Sequence, residues 1–196
     1  MRNQSQLARP MRPIGPWPSA CSYFLSSLTI GTPMFIHIWY FLTLTLTSLL
    51  MGTSFAHTLE MPAKMNVDGQ LWRTFQHTLY PYFAYVGAPV EIGAIVASAI
   101  LSYLVRAHRP AFYLTLAGTI CLSLAFFVVW LGFTNPVNAE TAKWTASSIP
   151  PDWSRWRSQW EYSHAARFVL HWIGFSALLI SLIRMSSLPS AHHGSV

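Results

Sequence analysis

Apolar residues dominate four stretches of the chain, and each stretch is long enough to cross the hydrocarbon core of a membrane. The stretches are residues 35–55, 82–105, 111–133 and 166–183. A helix rises about 1.5 Å per residue, so about 20 apolar residues span a core of ~30 Å. The pattern therefore predicts four transmembrane helices.

The connections between the predicted helices differ in length. Residues 106–110 join the second and third helices so tightly that these two are predicted to form an antiparallel hairpin. The other two connections, 56–81 and 134–165, are long, and Pro62 is expected to bend or end the first helix. The predicted fold class is all-α: a polytopic membrane protein in which residues 34–185 form an antiparallel four-helix transmembrane bundle.

Both ends of the chain differ from this domain in composition. Residues 1–33 hold three arginines among five prolines, which predicts a disordered basic tail. The alternative is a misassigned start, because Met34 stands immediately before the first apolar stretch. Residues 186–196 are predicted to be a disordered C-terminal tail.

Composition agrees with a lipid environment. Hydrophobic residues make up 53% of the 196 residues and charged residues only 9%, whereas a soluble domain carries about 25% charged residues. The formal charge of +6 comes from lysines and arginines scattered singly at the ends of apolar stretches. That distribution is typical of membrane topology rather than of a nucleic-acid-binding face. The predicted partner is therefore the lipid bilayer, and no nucleic acid.

The short turn between the second and third helices indicates the orientation. Arg106 and Arg109 form a dense basic cluster beside two helix ends, and such clusters stay in the cytoplasm. The N-terminus is then cytoplasmic, and both long connections lie outside.

Ionisable residues in the apolar stretches indicate a structural or functional role, because inserting each into the membrane costs about 2.5–3.5 kcal/mol. Glu91 lies in the second stretch and shares a helical face with Gly87 and Ser98. Small residues on that face allow another helix to approach closely. Glu91 is either a structural hydrogen-bonding group or part of a binding site.

The approach to the fourth helix carries the strongest polar pattern. Arg157, Glu161, His164 and His171 follow a spacing of four, three and seven residues, so they lie on one stripe of a continuous helix. Tryptophans at 153, 156 and 160 form a second stripe, as in an aromatic belt at the headgroup level.

A metal site is one interpretation of the polar residues. Glu161 and His164 have the Glu-x-x-His spacing used by di-metal sites in helical bundles, and His57 and Glu60 repeat it in reverse. The ends of three antiparallel helices that carry these residues meet at one side of the membrane. The predicted ligand set is His57, Glu60, Glu91, Glu161 and His164. The other interpretation is a salt-bridged network.

Several of these residues also belong to motifs that resemble the anthrone oxygenase-like family of small four-helix integral membrane proteins. The resemblance rests on the segment 52–62 around His57, on Asn135-Pro-x-Asn138, and on Trp160-x-x-x-His164-x-x-Arg167. The segment around His57 is similar to the bacterial branch, which implies a bacterial inner membrane. Characterised members oxidise anthrones to anthraquinones with dioxygen, so the resemblance implies an oxygenase. Its matched positions include Asn135 and Asn138.

The first functional hypothesis is an oxidoreductase that acts on an aromatic or quinone-like lipophilic small molecule. His164 would be the general base, Glu161 would orient it, and Arg157 or Arg167 would stabilise an oxyanion. The predicted substrate-binding residues are Asn135, Asn138, Trp160 and Glu91. No motif indicates a flavin, haem or nucleotide, so the cofactor is unknown and a transition metal stays open.

The second hypothesis is a non-catalytic membrane scaffold or partner subunit whose polar cluster only holds the helices together. A transporter is less favoured, because the chain shows none of the internal repeats typical of transporters.

Overall fold

A computed structural model describes the backbone of residues 20–187 and the side chains of residues 34–187. Most of the two predicted tails, residues 1–19 and 188–196, lies outside this range. Residues 20–33, which were predicted to belong to the N-terminal tail, form helical backbone. The chain divides into two units, Met1–Phe35 and Ile36–Val196. All contacts given below lie within the second unit.

The described residues form helices and no β-strand. In chain order the elements are α1 (Ala20–Lys64), α2 (Gly69–Thr78), α3 (Pro81–Leu104), α4 (Arg109–Ser123), a π-helical segment (Leu124–Thr134), α5 (Asn135–Thr141) and α6 (Trp153–Ser186).

Within the part of the chain that the structure describes, four helical stretches are long and apolar enough to cross a membrane: Met34–Lys64, Pro81–Leu104, Arg109–Thr141 and Trp153–Ser186. They confirm the four predicted spans and the all-α bundle. Large apolar side chains such as Phe41, Val86 and Trp172 are 73%, 65% and 57% exposed. Water would penalise that much exposed apolar surface, so these side chains face lipid. The chain is an integral membrane protein whose surroundings are the bilayer.

The two long connections contain more helix than predicted. α2 and α5 lie within them, and α6 begins at Trp153, thirteen residues before the predicted span at residue 166. α1 also continues past Pro62 to Lys64. Pro62 lacks the N–H that would donate to the carbonyl of the fourth preceding residue, and α1 ends only two residues after it. The carbonyl of Pro62 accepts a hydrogen bond from the side-chain amide of Asn66 at 2.8 Å.

One half of the bundle is packed by apolar and small residues. Tyr40 packs with Leu101 and Leu178, and its hydroxyl is 2.6 Å from Ser181 Oγ. α4 and α6 approach closely at Gly118 and Gly174. A Cβ placed on Gly118 would lie 2.9 Å from Leu178 Cγ, so glycine permits this helix contact.

An aromatic cluster closes the opposite end of the bundle. It consists of Trp72, Tyr80, Val137, Trp144 and Trp160. The short helices α2 and α5 supply two of these residues, Trp72 and Val137, and lie over the ends of α3 and α6. The cluster therefore covers the end at which the polar residues collect.

The third span changes its helical pitch in the middle. Its π-helical segment Leu124–Thr134 ends where the N–H of Asn135 donates to the carbonyl of Trp130, a bond to the fifth preceding residue. π-Helical turns are rare and are frequently found at functional sites. Here the wider turn brings Trp130 to the cavity described next.

Candidate functional site

A cavity of about 310 Å³ lies beneath the aromatic cluster. It is bordered by residues of α1, α2, α3, the π-helical segment, α5 and α6. The polar residues among its lining are Thr53, Ser54, His57, Gln76, His77, Tyr80, Glu91, Asn138, Thr141, His164 and Arg167. This size is at the lower end of the range for small-molecule sites.

Aromatic rings form much of the wall. Tyr80, Phe83, Trp130 and Trp160 all line the cavity. The rings of Tyr80 and Trp160 are 4.9 Å apart, and those of Tyr80 and Phe83 are 5.8 Å apart. A planar aromatic molecule would find offset or edge-to-face partners on this wall.

Two imidazoles stand side by side at the cavity. The ring centroids of His57 and His164 are 4.3 Å apart, and Trp160 lies 4.2 Å from His164. Both histidines are almost completely buried, with 5% and 6% exposure. The nearest carboxylate to His57 Nδ1 is Glu60, at 3.9 Å, which is too far for a hydrogen bond.

Four residues of the cavity lining carry buried nitrogen atoms without a hydrogen-bond partner among the described residues. The atoms are His57 Nδ1, Gln76 Nε2, His164 Nδ1 and Arg167 Nε. Buried polar groups in native proteins are almost always paired with protein or water, and each unpaired one costs about 1–3 kcal/mol. Their concentration at one cavity indicates a place for a polar partner.

A first ion-pair network, centred on Glu91, borders the cavity. Glu91 of α3 pairs with Arg167 of α6 and lies 3.0 Å from His171 Nε2. The other ring nitrogen of His171 is 2.8 Å from Ser54 Oγ of α1. We call Ser54, Glu91, Arg167 and His171 the Glu91 network; it joins three of the four spans.

A second ion-pair network, centred on Lys64, lies outside the cavity. Lys64 Nζ is 2.9 Å from Glu161 Oε2 and 3.4 Å from Glu60 Oε2. Trp72 Nε1 donates to the other oxygen of Glu161 at 3.3 Å. We call Lys64, Glu60 and Glu161 the Lys64 network. It has no residue in the cavity lining.

Tyr80 connects the Lys64 network to the cavity wall. Its hydroxyl donates to Glu60 Oε2 at 2.8 Å. Burial of the phenol, this hydrogen bond and the charges of Glu60 and Glu161 raise the pKa of Tyr80 above its ordinary value of 10.0. Tyr80 therefore stays a neutral hydrogen-bond donor at physiological pH.

Of the four predicted catalytic residues, His164 and Arg167 line the cavity, whereas Glu161 and Arg157 do not. Glu161 contacts Lys64 and Trp72 instead of orienting His164. Arg157 donates to the backbone carbonyl of Val67 at 2.7 Å and to that of Lys64 at 3.3 Å. It ties the start of α6 to the end of α1.

Of the predicted substrate-binding residues, Asn138, Trp160 and Glu91 line the cavity. Trp160 Nε1 donates to Asn138 Oδ1 at 2.9 Å. Asn135 is exposed at the start of α5 and lies outside the lining.

The five predicted metal ligands do not form one group, although His57 and His164 lie side by side. Among residues 34–187, no three His, Cys, Asp or Glu side chains are grouped so that they could hold a metal ion. The physical reason is that one arginine and one lysine form ion pairs with the three carboxylates. Arg167 engages Glu91, and Lys64 lies between Glu60 and Glu161. The carboxylates of the set are therefore divided between two networks.

The structure also adds residues that the sequence did not assign to the site. His171 continues the predicted stripe of α6 but was not placed in the site, and it lies 3.0 Å from Glu91. Ser54 lies in the segment 52–62 but was not assigned to the site, and Gln76 carried no signal in the sequence. Lys64 was placed in doubt because Pro62 precedes it, yet it is 3% exposed at the centre of its network.

Comparisons with known proteins give no relative. No family model matches the chain, and no curated protein or solved structure matches it.

Proposed function

We propose that the protein is a membrane oxidoreductase that oxidises an aromatic or quinone-like lipophilic molecule with dioxygen, as its resemblance to the anthrone oxygenase-like family predicts. The observation that carries the proposal is the cavity with an aromatic wall and four unpaired buried nitrogens. An apolar aromatic molecule with oxygen substituents satisfies both features, because its rings contact the wall and its oxygens pair with the nitrogens.

His164 is the proposed general base. A neutral imidazole has one lone-pair nitrogen that can accept a proton, and His164 Nδ1 is not engaged by another described residue. Removing a proton from an acidic methylene group that is conjugated through aromatic rings with a ketone produces an oxyanion on the ketone oxygen. Arg167, which lines the same cavity, stabilises that charge through its unpaired Nε–H.

The overall reaction balances with dioxygen as the only oxidant. The methylene carbon loses two hydrogens and gains one oxygen atom, and the second oxygen atom leaves as water. His164 takes the first proton and returns it to the oxygen that becomes water. Glu91 holds Arg167 in place through their ion pair.

We further propose that the protein lies in a bacterial inner membrane with its N-terminus in the cytoplasm. The basic turn that follows α3 carries Arg106 and Arg109, and the positive-inside rule assigns such a turn to the cytoplasm. The cavity then lies toward the outer leaflet. Reporter fusions after Ser187 and within residues 142–152 test this orientation: the first should report the cytoplasm and the second the outside, and the reverse result would contradict it.

The direct test is turnover of anthrone by the purified protein in lipid nanodiscs, followed as dioxygen uptake and anthraquinone absorbance. The wild type is expected to consume one dioxygen per quinone. His164→Gln keeps the size and hydrogen bonding but removes the base, and it should lower turnover by about 10²–10⁴-fold. His108→Gln, at the opposite end of the bundle, is the matched control and should leave turnover unchanged.

A non-catalytic scaffold is the second candidate, because the ion pairs of both networks join different helices. It predicts that neither anthrone nor a related quinone is turned over. It also predicts that His164→Gln changes only the thermal stability. A folded wild type without any oxygen uptake would favour the scaffold over the oxygenase.

A further inference from the structure

We propose that Ser54 is a nucleophile activated by His171 and Glu91, which gives the same cavity an acyl-transfer activity toward esters or thioesters of lipophilic acyl groups. This inference goes beyond the proposed oxygenase and does not depend on it. It rests on the geometry of the Glu91 network.

Ser54, His171 and Glu91 have the relative arrangement of a nucleophile, a base and a group that orients the base. Ser54 Oγ is 2.8 Å from His171 Nδ1, and His171 Nε2 is 3.0 Å from Glu91 Oε1. Both distances lie within hydrogen-bond range. The two ring nitrogens are exchanged relative to serine proteases, but such a triad is recognised by geometry and role rather than by atom name.

The proton positions follow from the partners. Glu91 is a carboxylate paired with Arg167, so it accepts a hydrogen bond and His171 Nε2 carries the proton. His171 Nδ1 is then the lone-pair nitrogen, and the Ser54 hydroxyl donates to it. The alternative acceptor for this hydroxyl, the carbonyl of Leu50, lies at 2.9 Å on the same helix. The hydroxyl has one proton for these two acceptors, and only the bond to His171 activates the oxygen.

A ligand in the cavity can also reach Ser54, and the cavity lining supplies donors for the charge that would develop. Ser54 and Glu91 line the cavity, whereas His171 is fully buried behind them. The base is therefore shielded, and the nucleophile borders the space a ligand would occupy. Arg167 and Gln76, on the same lining, carry unpaired N–H groups that can stabilise the oxyanion of a tetrahedral intermediate.

The proposed step conserves atoms and charge. Ser54 Oγ attacks the carbonyl carbon of the acyl group while His171 accepts the hydroxyl proton. The bond to the leaving alcohol or thiol then breaks, and His171 returns the proton to that group. Attack by water on the resulting ester of Ser54 releases the acid and restores the serine.

An alkyl fluorophosphonate is the probe that tests the inference, applied to the full-length protein in nanodiscs. Its phosphorus would bond to Ser54 Oγ with loss of fluoride, and peptide mass spectrometry locates the adduct. We expect one adduct per chain, on Ser54, that forms without dioxygen or anthrone. His171→Gln should slow labelling by about 10²–10⁴-fold, the usual contribution of a general base. Ser48→Ala, on the same helix, is the control and should label like the wild type.

Two results would overturn the inference. One is the absence of an adduct on Ser54 in wild-type protein that shows cooperative thermal unfolding. The other is labelling of Ser54 at an unchanged rate in folded His171→Gln protein, since the serine would then react without the base. Neither result bears on anthrone oxidation, so failure here is distinguishable from failure of the proposed oxygenase.

Discussion

The Glu91 network and the Lys64 network differ in what surrounds them, although both bury charge at the same end of the bundle. Glu91 and Arg167 border a cavity and leave a donor of Arg167 unpaired. Lys64 and Glu161 are enclosed by protein, with tryptophan and tyrosine rings over the ammonium group at 4.6 and 5.1 Å. Burial of charge therefore does not identify a functional site by itself. A cavity beside the charges distinguishes the two networks.

Because of this difference, we expect the two networks to have separate roles. The Lys64 network fastens the end of α1 to α6, and its loss is expected to affect stability. The Glu91 network holds Arg167 at the cavity, and its loss is expected to affect binding and turnover as well.

The largest effect is expected when the Lys64 network loses one member. Glu161→Ala leaves Lys64 buried with only the half-exposed Glu60 beside it, so the free energy of unfolding should fall by about 3–5 kcal/mol. Denaturation with SDS in mixed micelles measures this change. The control is Glu140→Ala, which removes an exposed pair with Lys143 and should leave stability nearly unchanged.

The double variant Lys64→Met, Glu161→Leu sharpens the same point. Removing both charges avoids an unpaired one, so most of the lost stability should return. Because neither residue lines the cavity, anthrone turnover should stay close to that of the wild type. A large loss of turnover in a stable double variant would contradict a purely structural Lys64 network.

The next largest effect is expected on turnover when Arg167 changes. Arg167→Lys keeps the charge beside Glu91 but loses the planar set of donors, so the unpaired Nε–H is no longer present. Turnover of anthrone should fall by about 10²–10³-fold, as for removal of one oxyanion donor. Arg109→Lys, at the first residue of α4 and far from the cavity lining, is the control. An unchanged rate in Arg167→Lys would remove Arg167 from the chemistry.

A smaller effect is expected in the half of the bundle that is packed by apolar and small residues. Gly118→Val would press against Leu178 and the carbonyl of Gly174, and overpacking of this kind costs about 1–3 kcal/mol. Gly132→Val is the matched control, because a Cβ there meets nothing within 4 Å. Equal losses in the two variants would contradict the close contact of α4 with α6.

The smallest effect is expected in the alkaline pH dependence of stability. The pKa of Tyr80 is raised in the folded protein, so above pH ~10 the unfolded chain loses the phenol proton while the folded chain keeps it. The stabilisation is complete below pH ~10 and declines as the pH rises further. Tyr80→Phe should reduce this decline, which thermal unfolding between pH 8 and 11 would measure. Identical pH profiles would show that Tyr80 ionises equally in both states.

The spans were predictable because apolar length follows directly from membrane thickness. His164 and Arg167 were predictable as site residues because one helix and one motif hold both. The pairing of Ser54 with His171 was not predictable, since 117 residues separate them and no single motif contains both. Lys64 was misjudged because a proline usually ends a helix, and here it stands only two residues from that end.

The role of Trp130 was hidden for a different reason. Helical periodicity assigns faces at 3.6 residues per turn, and the π-helical segment Leu124–Thr134 breaks that register. The division of the predicted metal ligands between two networks likewise depends on where lysine and arginine partners lie in space.

The most direct test of the central claim is a binding titration with a hydroxyanthraquinone in nanodiscs, read by quenching of tryptophan fluorescence. Trp130 and Trp160 line the cavity, so a bound quinone would quench them. We predict saturable binding by the wild type and by Lys64→Met, Glu161→Leu, and at least about tenfold weaker binding by Arg167→Lys, which corresponds to 1.4 kcal/mol. Equal binding by the wild type and Arg167→Lys, or no saturable binding at all, would contradict the assignment of this cavity as the functional site.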